Sequence, residues 1–445
     1  MSAKCETPPV GDADERRGKT QMTTTRRNIL KTCLAGAVAS TIPQPFSLLA
    51  VEQGGSRRKL PVAAVVSVYT PSSHADVIVG KILEGYQQDG GAGPDLEVVS
   101  VFTDQVPAQD MSREKAAKHG FRISPTIRDA LTLGSGELQV AGVLCIGEHG
   151  DYPRTPDTDQ KMYPRRRFFD EVVGVFRECG QVVPIFNDKH LGYRWEDANA
   201  MVETAQQMKI PFLAGSSLPV AWRMPPFEMP RDCEIEVALT IGYGGFEDYG
   251  FHAIEAHQCL LERRHGGETG VAAVRAVRGD MIRKSQLAGD WSTELFAAAR
   301  RLMPGNPDDT QAWNPGPDSA VYLFEHRDGL RSAVVIANGL AGHFSTALQI
   351  KGKAEPVGTC FRLQEGPPFG HFAYLVRAID ETFHTGKPVY PVERTLLTSG
   401  ILDRVMHSLA KDGLRLETPE LAVNYSAVDW PFANHPDSPL RLSVD

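Results

Sequence analysis

"PIFNDKHLGYRWEDANAMVETAQQMKIPFLAG", Pro184 to Gly215, reads as an extended apolar run, a charged turn around Lys189, a helix, and a second extended run. A strand, a crossover helix and a strand make a parallel pair, because antiparallel neighbours need only a short turn between them. Upstream the alternation repeats. "LPVAAVVSVY" is a buried-strand run, and "HADVIVGKILEGY" carries Ile78, Val79, Ile82, Leu83 and Tyr86 at helical spacing. "DLEVVSVFTD" is a second strand, followed by a helix over Ser112 to His119, a short helix "SPTIRDAL", the strand "VAGVLCIG" and the helix "FFDEVVGVFRECG". Strands alternating with helices predict an α/β, Rossmann-like, doubly wound parallel sheet over residues 60–215.

Ligands of such sheets bind where the strands end at their carboxyl edge. Four loops matter there: Ser67 to His74, Thr103 to Gln105, Gly147 to Tyr152, and Asn187 to Tyr193, the last of which holds Lys189. A lysine in that position faces the crevice, where it packs few atoms.

The second half, residues 216–445, predicts an α+β domain. "DCEIEVALTIGYG" and "GVAAVRAVRGD" are strand patterns, "HAIEAHQCLLERR" is a helix, and "SAVYLFEHRDGLRSAVVIANG" is a hairpin turning at Arg327-Asp328-Gly329. "FSTALQIKG" and "AEPVGTCFRLQ" continue the sheet. In "FAYLVRAIDETF", Phe372, Leu375, Val376, Ile379 and Phe383 recur at helical spacing, as core packing requires.

With 445 residues the chain is long enough for two cores. Its net charge of -8 argues against nucleic acid as a partner, since phosphate contacts need a basic face. Residues 1–59 are different in kind. "TTTRRNILKTCLAGAVAS" sets Arg26 and Arg27 ahead of a short apolar run ending in small residues, a pattern read as a twin-arginine export signal. The run is too short for stable membrane insertion, so the expected location is periplasmic or extracellular, with Met1 or Met22 as the start. Five cysteines follow it (Cys145, Cys179, Cys233, Cys259, Cys360), with no C-x-x-C pair, which suits neither a disulfide framework nor a zinc-thiolate site.

The order "EVVSVFTD", "VAGVLCIG", "PIFNDKHLGYRWEDANAMVETAQQMKIPFLAG" resembles the NAD(P)-dependent glucose-fructose oxidoreductase and inositol dehydrogenase (Gfo/Idh/MocA) family, whose corresponding turn is E-K-P with an active-site lysine. "GGFEDYGFHAIE", Gly244 to Glu255, is similar to that family's G-G-x-x-x-D-x-G-x-H segment. The resemblance implies Lys189, Asp248 and His252 as catalytic residues. It also implies NAD or NADP in the first domain, a small-molecule carbohydrate substrate, a mostly antiparallel open sheet in the second domain, and a homo-oligomer formed through the exposed face of that sheet.

The trio makes chemical sense by itself. Oxidising a carbinol needs a base within hydrogen-bond reach of the hydroxyl. His252 can take that proton, Asp248 can orient or share it, and Lys189 can stabilise the oxyanion. A solvated turn lysine and a structural helical histidine are the alternatives.

Departures from the family centre on the first turn. "SVYTPSSHAD" has no glycine, where the family carries G-x-G-x-x-G so that backbone can approach a pyrophosphate. Thr70, Ser72, Ser73 and His74 are the candidates to hold phosphate there, Asp104 is either the ribose carboxylate or a turn residue capping the next helix, and Glu148 and His149 complete the expected cofactor-binding set. Glu148, His149 and Asp151 with His190 or His252 would also suit a divalent metal, but surface salt bridges to Arg165 to Arg167 are the more frequent outcome, so no metal is expected. The reading is an exported oxidoreductase on a sugar, polyol or related carbohydrate. Its rivals are an NAD-using glycosidase of the same fold and a non-catalytic carbohydrate-binding or scaffold protein.

Overall fold

Hydrophobic runs that admit no polar side chain become the central strands. In the computed structural model, which describes residues 57–305 and 313–444, β1 (Leu60–Val66) is buried from Val62 onward. The twin-arginine stretch lies outside the described residues. Parallel strands β2 (Leu96–Thr103) and β4 (Gly142–Ile146) flank β1, and β5 (Ile185–Asp188), β6 (Phe212–Gly215) and the edge strand β3 (Arg122–Ser124) complete the order β3-β2-β1-β4-β5-β6. This is the doubly wound order, with its switch point between β1 and β4. β3 has a single apolar residue, Ile123, and no sequence pattern announces it.

Helices α1 (His74–Glu84), α2 (Ser112–His119), α3 (Ile127–Thr132), α4 (Arg165–Cys179) and α5 (Trp195–Met208) make the crossovers. α1 begins on Ser73, whose hydroxyl accepts the Asp76 amide at 3.3 Å, and α4 stops at Gly180 with φ 63°, where the left-handed region favours glycine.

The second sheet runs β14-β9-β10-β11-β8-β12-β13-β7. Its strands are β7 (Trp222–Met224), β8 (Ile235–Gly242), β9 (Val271–Arg278), β10 (Ala320–His326), β11 (Arg331–Ile336), β12 (Phe344–Ile350), β13 (Val357–Arg362) and β14 (Leu416–Glu417). All pairs are antiparallel except β8 with β11. Side chains alternate between two cores. One face, with Phe324, Val334 and Phe344, packs toward α6 (Asp248–Leu261) and α10 (Val392–Ala410). The other, with Leu239, Ile241, Val335 and Ala347, is covered by Leu295, Phe296 and Ala299 of α8 (Thr293–Arg301), next to α7 (Asp280–Leu287).

Helix α9 (His371–Thr385) belongs to the second half by sequence but packs on the first sheet: Phe372, Leu375, Val376, Ile379 and Phe383 share one core with Val62, Ala64 and Ile78. α10 touches both sheets and braces the loop after β5. Ser399 Oγ accepts the Leu191 amide at 3.1 Å, and Asp403 Oδ2 accepts that of Trp195 at 3.2 Å, supplying to α5 the cap that Arg194 does not. Among the described residues no helix is long and apolar enough to cross a membrane.

Glu255 of α6 is 1% exposed and accepts the Ser216 amide at 2.7 Å and the Thr395 hydroxyl at 3.4 Å. Burial pushes its carboxyl up to about 7, against 4.5 for an ordinary glutamate. The folded state therefore holds this proton where the unfolded chain has released it. The resulting stabilisation is complete below the ordinary value and is lost as pH rises toward 7, a difference of roughly 3 kcal/mol. Glu255→Gln is expected to flatten that decline, measured as urea-unfolding free energy at about pH 5 and about pH 8. An unchanged slope would show that Glu255 is not its source.

Candidate functional site

Lys189 follows the last residue of β5 and is 3% exposed, far more enclosed than a crevice lysine was expected to be. The reason is Glu148, in the loop after β4, whose Oε1 lies 3.3 Å from Lys189 Nζ while Oε2 pairs with Arg165. Burial, the largest influence, pushes the Glu148 carboxyl up; Lys189 and then Arg165 override it and hold it well below the usual carboxylate range. An anion shared between two cations is thus fixed at the carboxyl edge of the sheet. Arg165 opens α4, where the helix dipole disfavours a cation, so the ion pair must hold it there. Gly147 makes room: a Cβ would come within 2.7 Å of Arg165 Cγ.

His190 stacks on Phe251 with ring centroids 5.3 Å apart, donates from Nδ1 to the Gly192 carbonyl at 2.8 Å, and offers Nε2 to Arg165 at 3.3 Å. Burial, reinforced by Arg165, keeps it well below 6.5 and neutral. On the other side of Lys189, Asp188 Oδ2 accepts from His74 Nδ1 at 2.6 Å, and its Oδ1 is buried with no partner.

Glu148, Arg165, Lys189 and His190 line a cavity of about 370 Å³ together with Gly245, Phe246 and Glu247 of the loop ahead of α6 and its first residue, Asp248. Asp248 and His252 lie four residues apart on α6 and share a face. His252 is part-buried, with Nδ1 enclosed and unpartnered and its ring against Tyr249 and Phe344. Burial first and the Lys189 charge second hold it well below 6.5. The structure thus brings two of the three predicted residues, Lys189 and Asp248, to one cleft, while His252 lies outside its lining, near enough to Lys189 to feel its charge.

Two of its residues were not foreseen. Glu247, beside Asp248, lines the cavity and accepts the Lys161 amide at 2.9 and 3.1 Å; burial pushes its carboxyl up to about 7. Arg165 was foreseen only as a surface charge. The signals were present: a glutamate adjoining the "EDYG" carboxylate, and a triple arginine directly after a loop rich in ligand-type side chains.

The first turn offers a dinucleotide phosphate the bend and hydroxyls of Thr70 and Ser72, although the Ser72 amide is already given to Asp76 Oδ2 at 2.9 Å. Ser72 has φ 60°, the left-handed bend for which the family uses glycine, and it is exposed at the amino end of α1 with Thr70 beside it. Ser73 is instead spent on capping, its hydroxyl also taking the Thr70 amide at 3.2 Å, and His74 on Asp188. His149 is exposed, its ring edge-on to His74 at 5.3 Å. The ribose end is tighter. Asp104 caps no helix; it accepts from Tyr152 at 2.7 Å and from Arg167 at 2.6 Å, so each of its oxygens already has one donor. Among the described residues no group of His, Cys, Asp and Glu is arranged to hold a metal ion, and both oxygens of Glu148 are already taken by cations.

No family model matches the chain and no curated protein matches its sequence. Solved structures match its fold. GenD2 from gentamicin A biosynthesis, in complex with NAD, is 14% identical with a TM-score of 0.53, over 83% of this chain and 99% of that one. A putative myo-inositol dehydrogenase from Sinorhizobium meliloti is 13% identical with a TM-score of 0.50, over 81% of this chain and 99% of that one. Apo scyllo-inositol dehydrogenase from Lactobacillus casei is 10% identical with a TM-score of 0.50, over 81% and 98%. At these identities the likeness shows a shared fold.

Proposed function

We propose that the chain is a Gfo/Idh/MocA-like oxidoreductase that uses NAD or NADP to oxidise or reduce a sugar, polyol or related carbohydrate at the Lys189 cleft. The observation that carries the reading is Lys189 itself, held by Glu148 at the carboxyl edge of β5 in a cavity that Asp248 also lines. The fold neighbours, two of them described as inositol dehydrogenases and one solved with NAD, support it.

The nicotinamide dinucleotide supplies a hydride acceptor or donor; Thr70, Ser72 and the amino end of α1 would hold its phosphates. His252, kept neutral by burial and by the Lys189 charge, takes the carbinol proton. Nδ1 is enclosed, so Nε2 is the receiving nitrogen. Lys189 Nζ donates to the same substrate oxygen as negative charge builds there, in a site where Glu148 fixes its position. Asp248 accepts from a neighbouring hydroxyl and orients the ring.

The test is turnover of a panel of sugars and polyols with each dinucleotide, followed by nicotinamide absorbance. Reduction of either dinucleotide by a panel member supports the reading; no turnover in either direction, with no dinucleotide released on denaturation, overturns it. A non-catalytic carbohydrate-binding protein is then favoured, since Asp104 is already engaged by Tyr152 and Arg167.

Export by the twin-arginine route belongs to the same proposal. Arg26→Lys with Arg27→Lys is expected to retain the protein in the cytoplasm, read by cell fractionation; undiminished export would remove the signal. A homo-oligomer through the outer face of the second sheet is also proposed, at the part of that face α8 leaves free, and light scattering at a single-chain mass would contradict it.

A further inference from the structure

A second, smaller cavity of about 30 Å³ lies among the turn Leu218–Val220, β7, α6, the start of α10 and the stretch around Trp430. Three of its lining side chains carry a buried hydrogen-bond donor with no partner: Arg223 Nε, the Tyr390 hydroxyl and the Trp430 indole N–H. Arg223 is 6% exposed and Tyr390 3%. Buried donors are almost always satisfied, so three orphans around one space call for a missing acceptor.

Charge points the same way. Arg394 is held by Glu262, and Arg263 by Asp429 at 2.7 Å and Glu228 at 3.4 Å. Arg223 has no carboxylate partner among the described residues. Its other N–H groups go to the Phe227 and Pro219 carbonyls at 3.0 and 3.1 Å, with Cys259 sulfur at 3.8 Å, and Phe432 lies 4.3 Å from its guanidinium carbon. These are neutral acceptors, and the Glu228 carboxylate lining the same cavity reaches Arg223 only through space, its own ion pairs going to Arg263 and His435.

We propose that this cavity binds one small monovalent anion of the chloride class, held by Arg223, Tyr390 and Trp430. Its volume exceeds the ~10–15 Å³ that a single water needs. Water would meet the donors poorly: guanidinium and indole N–H groups only donate, so a water accepting from both must still place two hydrogens and cancels no charge. An anion accepts from all three and neutralises Arg223. It also joins β7, the approach to α10 and the Trp430 stretch, so its binding is linked to folding.

The test compares thermal unfolding of the full chain in sodium chloride and sodium gluconate at matched ionic strength, and bromide-soaked crystals by anomalous scattering. The midpoint is expected to rise saturably with chloride, by an amount on the order of a few degrees, with a bromide peak in the cavity. Tyr390→Phe with Trp430→Phe removes two donors, leaves an aromatic ring at each position, and should abolish the chloride response. Equal midpoints in the two salts, a chloride response undiminished in the double variant, or a cavity that holds only water in bromide would each overturn the proposal.

Discussion

Lys189→Met is expected to lower turnover on any substrate found by roughly a hundredfold or more, the scale of a lost acid/base or oxyanion group. Methionine keeps the chain length but removes the charge and the donors. Because Lys189 is 3% exposed and paired with Glu148, the substitution also acts on the fold. Arg165 remains to balance Glu148, so the stability loss should be held to about 1–3 kcal/mol. Turnover at a saturating substrate level, read beside a urea-unfolding curve, separates the two effects. Retained wild-type turnover by a folded variant would remove Lys189 from the chemistry.

Glu148→Gln should have the larger structural effect. Glu148 is 5% exposed, with one oxygen on Arg165 and the other on Lys189. Glutamine keeps the shape but leaves two buried cations without their shared anion and turns an amide toward one of them. Removing one side of a buried ion pair costs about 3–5 kcal/mol. The sign with pH follows from a carboxyl held well below 4.5: its contribution is present in full above the ordinary glutamate range and is lost as pH falls through the lower folded value. Wild type should therefore weaken in acid more steeply than the variant. Urea midpoints at neutral pH and near pH 3 check this, and a neutral-pH loss under about 1 kcal/mol would contradict the arrangement.

The stretch from Pro184 to Gly215 made the first sheet legible because buried parallel strands leave little room for polar residues, and each crossover helix carries its own period. β3 escaped notice because an edge strand of three residues needs no apolar run. α9 shows a different limit: its apolar stripe was plain, but periodicity cannot say which sheet it covers, and it covers the first.

The site divides in the same way. Lys189 could be placed at the carboxyl edge because it follows a strand, and Asp248, which shares its cavity, came from the likeness of its segment to a family motif; the same motif pointed to His252, which does not line that cavity. The Glu148–Arg165 pair and the His74–Asp188 contact join residues 17 and 114 apart in the chain, and no local pattern carries such pairings. Asp104 illustrates the remainder: its place at the end of β2 was clear, and its partners Tyr152 and Arg167 came from a loop and a helix that only the fold brings near.

Fluorescence titration of the purified protein with NADH and with NADPH bears most directly on the proposed oxidoreductase. Saturable binding of at least one of them is expected, weakened when Ser72, whose bend opens the amino end of α1, is replaced by a bulky residue. No change with either dinucleotide, and none released on denaturation, would contradict the account.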